Sequence, residues 1–267
     1  MSPEYEPVPP NPEFAVLLDV DRTVLKSEAF SGYAYQVLEQ MGISPQIIDQ
    51  VQHEQSQQRG NAFDYLPRVF ELANDKGAMP NFSYGTIGAI EAYLERMFMQ
   101  DDAQLRRFRA SILVEGTEEL VDQLEHANMA TILCTSGGEV TQRLKLNVLR
   151  KVLNVDPPWI IVGTDQQQKA ARLAEYYDHD EQRFNFAAYA RHGIAAHRLA
   201  GDQRLANIKG AYVVDDKWVN ISEIPEGIPV TGILVQTAEL GDVATSDRTR
   251  VSLSEALEQL TGSSPVA

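Results

Sequence analysis

The chain has 267 residues, 43 % hydrophobic and 23 % charged, a mix that suits a globular protein with a sizeable core. Its 23 Lys and Arg against 38 Asp and Glu give a formal charge of −15, which argues against general binding to nucleic-acid backbones or anionic membranes. The single cysteine, Cys134, leaves no intrachain disulfide, and no apolar run approaches the length of a membrane span.

The N-terminal stretch Met1 to Pro10 is acidic and Pro-rich and reads as a loose arm, not as a signal peptide. Then Phe14-Ala-Val-Leu-Leu18 runs straight into Asp19, with Asp21 and Thr23 following. Five apolar residues without alternation predict a central strand buried on both faces. Carboxylates at the C-terminal tip of such a strand stand where open α/β sheets bind ligands.

From about Ser27 the pattern turns helical. Phe30, Tyr33, Val37, Leu38 and Met41 recur at helical spacing, and Gly42 ends the run. Further stripes follow at Ile47, Ile48 and Val51, at Leu66, Val69, Phe70 and Ala73, and at Ile87, Ile90, Leu94 and Met97. No strand pattern interrupts them before Arg109, so an all-helical insert is expected. The Gln-rich stretch Gln52 to Gln58 reads as a solvated helix face. Arg106, Arg107 and Arg109 read as an exposed helix face near the end of the insert.

Glu115-Gly116-Thr117 precedes a helical stretch, Glu118 to Ala127, and a second buried strand, Ala130 to Cys134, stops at Thr135-Ser-Gly-Gly138. A helix is expected over Glu139 to Leu153, a third strand over Trp159 to Val162, and a turn at Gly163-Thr164-Asp165. Lys169 to Tyr177 and roughly Glu181 to Ala190 look helical. A fourth strand, Ala211 to Val214, ends in Asp215-Asp216, and a fifth spans Gly232 to Val235. Ser252 to Leu260 forms a last amphipathic helix, and Thr261 to Ala267 reads as a disordered tail. Strands alternating with helices predict an α/β protein with a Rossmann-like parallel sheet covered on both faces.

Several strand ends are polar: Asp19 and Asp21 on the first, Thr135 and Ser136 on the second, Asp215 and Asp216 on the fourth. A parallel sheet brings these ends to one edge. Clustered carboxylates without His or Cys suit a hard cation such as Mg2+. Cys134 reads as a small buried hydrophobe, and the five histidines show no ligand spacing.

Asp19-Val-Asp21-Arg-Thr23-Val-Leu25-Lys-Ser27-Glu28 resembles the first motif of the haloacid dehalogenase (HAD) superfamily, in the subgroup with a helical cap inserted behind that motif. The strand ending in Thr135 resembles the second motif, Val213-Val214-Asp215-Asp216 the fourth, and Glu115-Gly116 the return from cap to core. The resemblance implies a core of residues 1–26 and 110–267 and a cap of 27–109. It implies Asp19 as the nucleophile that forms an aspartyl-phosphate, and Asp21 as the acid and then base. Asp19, Asp215, Asp216 and the Asp21 backbone carbonyl would hold Mg2+. Thr135, Ser136 and Gly137 would contact the phosphoryl group. The family also needs a cation beside the nucleophile, with Lys169 the first candidate and Lys209 its rival. Two departures stand out: Ala170 replaces the usual Pro after that lysine, and Arg22 replaces a common Gly, where it could contact substrate.

The implied activity is a cytoplasmic, Mg2+-dependent phosphoric monoester hydrolase, a monomer or homodimer, acting on a small phosphorylated metabolite. A phosphotransferase or mutase would use the same intermediate. A dehalogenase would need no acid at Asp21 and no metal. A catalytically silent binding or regulatory protein is the reading of a different class.

Overall fold

The computed structural model describes residues 11–57, 64–77, 84–162, 169–236 and 249–262. The expected N-terminal arm, the turn Gly163-Thr164-Asp165 and the end of the tail lie outside the described residues. The chain starts with β1 (Phe14–Leu18) and continues through five helices, α1 (Ser27–Gln40), α2 (Pro45–Gln57), α3 (Tyr65–Asp75), α4 (Tyr84–Phe98) and α5 (Asp102–Ile112). Then come α6 (Thr117–His126), β2 (Ala130–Ser136), α7 (Glu139–Leu153) and β3 (Trp159–Val162). The two-residue strands β4 (Tyr177–Asp178) and β5 (Arg183–Phe184) form a small ribbon before α8 (Phe186–Tyr189) and β6 (Gly193–His197). The chain closes with β7 (Gly210–Asp215), α9 (Trp218–Ser222), β8 (Val230–Leu234) and α10 (Leu253–Gly262).

The main sheet has the order β6-β3-β2-β1-β7-β8. All pairs are parallel except β3 with β6. β1 lies inside the sheet, and its residues Ala15 to Leu18 are essentially fully buried. Alternate side chains leave a strand on opposite faces. Val16 and Leu18 therefore join the core under the helices, with Leu133, Ile161 and Val214. Ala15 and Leu17 join the other core, with Ile132, Ile160, Val213 and the aromatic group Phe184, Phe186 and Tyr189. This two-sided burial is why the strand reads as an unbroken apolar run.

The stretch between β1 and β2 carries helices only, among the described residues. α1 buries Phe30, Ala34, Val37 and Leu38, a helical stripe, and packs on α4 and α5. α2 packs on α3, and α3 and α4 reach α7 beside the sheet. α5 adds a helix to the four expected stripes. Its start is marked by Asp101, whose carboxylate accepts the Gln104 N–H at 2.8 Å. The two passages joining the helices to the sheet are tied together. Lys26 N–H donates to Ile112 O at 2.7 Å, Val114 N–H to Val24 O at 3.0 Å, and Thr117 Oγ1 to Val24 O at 3.2 Å.

Three expectations are corrected. Lys169 to Tyr177 is not an α-helix: it turns, makes one 3-10 turn at Leu173–Tyr176 and enters β4. Glu181 to Ala190 holds β5 and a four-residue α8 instead of one helix. The apolar positions here bury an aromatic cluster against one sheet face, and no regular helix is needed to do so. The sheet is also not wholly parallel, because β6 adds an antiparallel edge. Gly193-Ile-Ala-Ala-His197 is short, with an exposed Ile194 at 49 %, and lacks the apolar run that marked the other strands.

Gly116 begins α6 with φ +88°, and a Cβ there would stand 3.3 Å from Leu253 Cβ. Left-handed backbone disfavours a side chain, so Gly116→Ala should destabilise the protein by about 1–2 kcal/mol in urea unfolding. An unchanged midpoint would contradict this.

Candidate active site

Parallel pairing sets Leu18 level with Leu133 on one side and Val214 on the other. Asp19 directly follows β1 and Asp215 ends β7, so the two acids stand side by side at one edge of the sheet, while β2 continues through Cys134 to Ser136. Asp19 N–H still donates to Val214 O at 2.9 Å, so the sheet itself holds this backbone. Thr23 Oγ1 donates to Asp19 Oδ2 at 2.9 Å. Lys169 Nζ donates to Asp19 Oδ1 and, at 3.1 Å, to Asp215 Oδ2. Asp215 is fixed further by Asn220 Nδ2 at 2.8 Å and the Lys217 N–H at 2.9 Å. The Tyr189 hydroxyl donates to the Lys169 carbonyl at 2.5 Å, and Ala170 is buried beneath. Asp19, Lys169, Asp215 and Asp216 are each at most 4 % exposed.

Three buried carboxylates and one lysine leave negative charge in excess. Burial, reinforced by Asp215 and Asp216 and opposed by Lys169, pushes the Asp19 carboxyl up to about 7. Burial and Asp215 push Asp216 up to about 6. Asp19, Asp215 and Asp216 each offer an oxygen within 4.8 Å of the others. Asp216 Oδ1 is buried and accepts no hydrogen bond. An all-oxygen donor set with excess negative charge and an orphaned carboxylate oxygen fits a hard divalent cation.

Asp21 belongs to a separate network. Its Oδ1 accepts from Lys145 Nζ and Ser27 Oγ, each at 2.5 Å. Its Oδ2 accepts from Gln142 Nε2 at 2.8 Å, with Thr135 Oγ1 at 3.4 Å. Burial alone would raise this carboxyl; Lys145, Ser27 and Gln142 outweigh it and hold Asp21 well below the usual carboxylate range. Its carboxylate is thus committed away from the three-acid cluster. The Thr135 hydroxyl also donates to Gln142 Oε1 at 3.1 Å.

Lys145 and Gln142 were not among the residues expected from sequence. They lie three apart on α7, with Thr141 beside them, and all three are buried. Buried polar residues on an otherwise amphipathic helix are the signal, but sequence alone does not say which face meets the sheet edge. Asp64 was also missed. An Asp just before a helix reads as its N-cap, yet Asp64 makes no cap bond to α3. It instead accepts from Val140 N–H at 2.9 Å, Thr141 N–H at 3.1 Å and Thr141 Oγ1 at 2.5 Å, and so caps α7 across the cleft. The approach requires Gly138, since a Cβ there would stand 2.2 Å from Asp64 Cβ.

The remaining candidates separate cleanly. Lys209 sits at the start of β7, pairs with Glu13 at 2.7 Å and is exposed, so Lys169 is the lysine that meets Asp19. Arg22 has φ +64°, the backbone that explains why Gly suits this position, and its guanidinium meets Glu28 at 2.5 Å. Arg109 on α5 pairs with Glu118 at 2.7 Å. Burial pushes the Cys134 thiol up to about 12, leaving an inert side chain. Arg22, Asp21, Ser136, Gln142 and Lys145 border a cavity of about 680 Å³ between α1, α2 and the sheet edge.

No family model matches the chain, and no curated protein matches it. Among solved structures it is similar to YfnB of Bacillus subtilis, a candidate HAD-hydrolase solved bound to magnesium, at 14 % identity and a TM-score of 0.39 over 94 % of this chain and 99 % of that one. A haloacid dehalogenase-like family hydrolase from Xanthomonas campestris matches at 15 % identity and a TM-score of 0.39, over 94 % of each chain. A phosphonoacetaldehyde hydrolase-like protein from Oleispira antarctica matches at 16 % identity and a TM-score of 0.36, over 84 % of this chain and 72 % of that one.

The raised Asp19 and Asp216 carboxyls have a consequence for stability. With folded values of about 7 and about 6 against an ordinary 3.8, the folded protein keeps protons that the unfolded chain releases. Their contribution is present at low pH and is lost as pH rises through the folded values. In chelator, the wild-type melting temperature should therefore fall more steeply from about pH 5 to about pH 7.5 than that of Asp19→Asn. Equal slopes, or a wild type that gains more stability over this range, would contradict the assignment.

Proposed function

We propose that this chain is a Mg2+-dependent phosphatase of the HAD type that hydrolyses a small phosphorylated metabolite through an aspartyl-phosphate. The observation that carries the reading is the convergence of Asp19, Lys169, Asp215 and Asp216 at one edge of the sheet, from three separate parts of the chain. Within the same reading, residues 27–109 form a helical cap and residues 1–26 and 110–267 the core.

Asp19 attacks phosphorus and displaces the leaving oxygen, so one hard displacement becomes two easier ones. Lys169 orients the Asp19 carboxylate and balances its charge through the paired contact with Asp215. Asp19, Asp215 and Asp216 would hold Mg2+, with the Asp21 backbone carbonyl as a further oxygen. When bound, the cation offsets the repulsion between an anionic nucleophile and an anionic substrate. Thr135, Ser136 and Gly137, at the end of β2, take the phosphoryl oxygens.

Asp21 serves as the acid and base. Lys145 and Gln142 hold it charged, which is the form that accepts a proton from the attacking water in the second step. Protonating the leaving oxygen in the first step requires that substrate displace Lys145 and that Asp21 first take up a proton, which a phosphate monoester bound as its monoanion would bring. The substrate's leaving group enters the cavity beside Asp21 and lies between α1 and α2 on one side and α7 on the other.

Phosphate release from a metabolite panel is the direct test. Activity should require Mg2+ and vanish with chelator. Asp19→Asn and Lys169→Met should each lower kcat by roughly a thousandfold or more, the scale of removing a nucleophile or its charge partner. Release that persists in Asp19→Asn, or that is indifferent to Mg2+, would overturn the reading.

A further inference from the structure

We infer that the cavity beside Asp21 is a subsite for a neutral, polyhydroxylated leaving group, a polyol or sugar, with Tyr65 and Gln55 among the residues that read its hydroxyls. This rests on the phosphatase reading, which supplies the scissile phosphate, and adds the class of alcohol that the phosphate leaves.

The lining carries the argument. Among the described residues bordering the cavity, none has an aliphatic side chain. Ser31, Gln52, Gln55 and Ser56 line the side formed by α1 and α2, facing Thr141 and Gln142 of α7. The Gln-rich stretch of α2, which the sequence presents as a solvated face, thus borders the cavity. Hydroxyls and carboxamides both donate and accept hydrogen bonds, and so do the hydroxyls of a polyol. An alkyl leaving group would strip water from these groups and give nothing back.

Tyr65 supplies a second, independent observation. It lines the cavity at 2 % exposure, and its buried hydroxyl has no hydrogen-bond partner. Ser31 is a polar neighbour that acts on it. Opposite, the Tyr35 hydroxyl donates to Gln55 Oε1 at 3.3 Å. A ligand hydroxyl entering here would meet an orphaned phenol flanked by a serine and a carboxamide.

Other leaving groups fit less well. The two tyrosines pack on each other, centroids 5.2 Å apart, and both are buried. They present no open ring face on which a nucleobase could stack. A second anion on the substrate would need uncompensated positive charge, yet each cation of the described lining has an acid beside it: Lys145 faces Asp21, Arg22 faces Glu28 and Lys217 acts on Asp216. The rest of the described lining offers neutral hydrogen-bonding groups.

The test compares a hexitol phosphate with n-hexyl phosphate, using the full chain and Mg2+. Wild-type kcat/KM should favour the hexitol ester by at least about tenfold. Tyr65→Phe, which keeps the ring, and Gln55→Leu should each cut that preference about 3- to 10-fold, the scale of one lost hydrogen bond. Mere destabilisation would move both esters together and leave the ratio unchanged. The same comparison by calorimetry on Asp19→Asn separates the two levels of the account. Tighter binding of the hexitol ester without wild-type turnover supports the subsite and sinks the phosphatase. Turnover of both esters without preference, or a preference for n-hexyl or a nucleoside monophosphate, keeps the phosphatase and overturns the subsite.

Discussion

Everything at this sheet edge follows from keeping three carboxylates buried around one lysine. Lys169 reaches both Asp19 and Asp215, while Asp216 keeps a buried oxygen without a partner. Isolated charges of one sign cannot be buried without a counter-charge, so protons or a cation must complete the balance. The raised carboxyls of Asp19 and Asp216 are the protonic solution. A divalent cation is the other, and under the proposed reading it would also free Asp19 to act as a nucleophile. The sheet supplies the positions: β1 and β7 are neighbours in parallel register, so their terminal acids meet without any loop having to reach.

The second acid of the opening motif is managed in the opposite way. Asp21 lies two residues from Asp19, yet Lys145, Gln142 and Ser27 surround it with donors and hold it charged. One short segment thus carries one carboxyl pushed up and one pushed down. Environment alone thus drives two like groups, two residues apart, in opposite directions. The donors to Asp21 come from α7 and α1, so the helices that bound the cavity also set the state of the acid. Asp64 adds a direct link, because it leaves its own helix uncapped to cap α7. That contact gives the inserted helices a defined seat against the sheet edge.

The five main strands were readable as short apolar runs, and the first, second and fourth of them end in polar residues. The order Asp19, Thr135, Asp215-Asp216 was readable for the same reason. Between Lys169 and His197 the reading failed. There the chain folds as short turns and ribbons around Phe184, Phe186 and Tyr189, and aromatic spacing mimics a helix that does not form. Lys169 and Lys209 could not be separated by spacing, since the segment that sets the reach of Lys169 has no regular period. Geometry separates them, with one lysine at the carboxyl ends of the strands and one at the opposite end paired to Glu13. Lys145, Gln142 and Asp64 were invisible for a different cause. Each is an ordinary polar residue on or before a helix, and only tertiary packing gives it a partner.

The most direct measurement of the central claim is a crystal structure of the full chain grown with Mg2+ and beryllium fluoride, a mimic of the aspartyl-phosphate. The account predicts BeF3 bonded to an Asp19 carboxylate oxygen, Lys169 against it, and a cation ligated by Asp19, Asp215 and Asp216. Fluoride density bonded elsewhere, or a cation that bypasses Asp215 and Asp216, would contradict it.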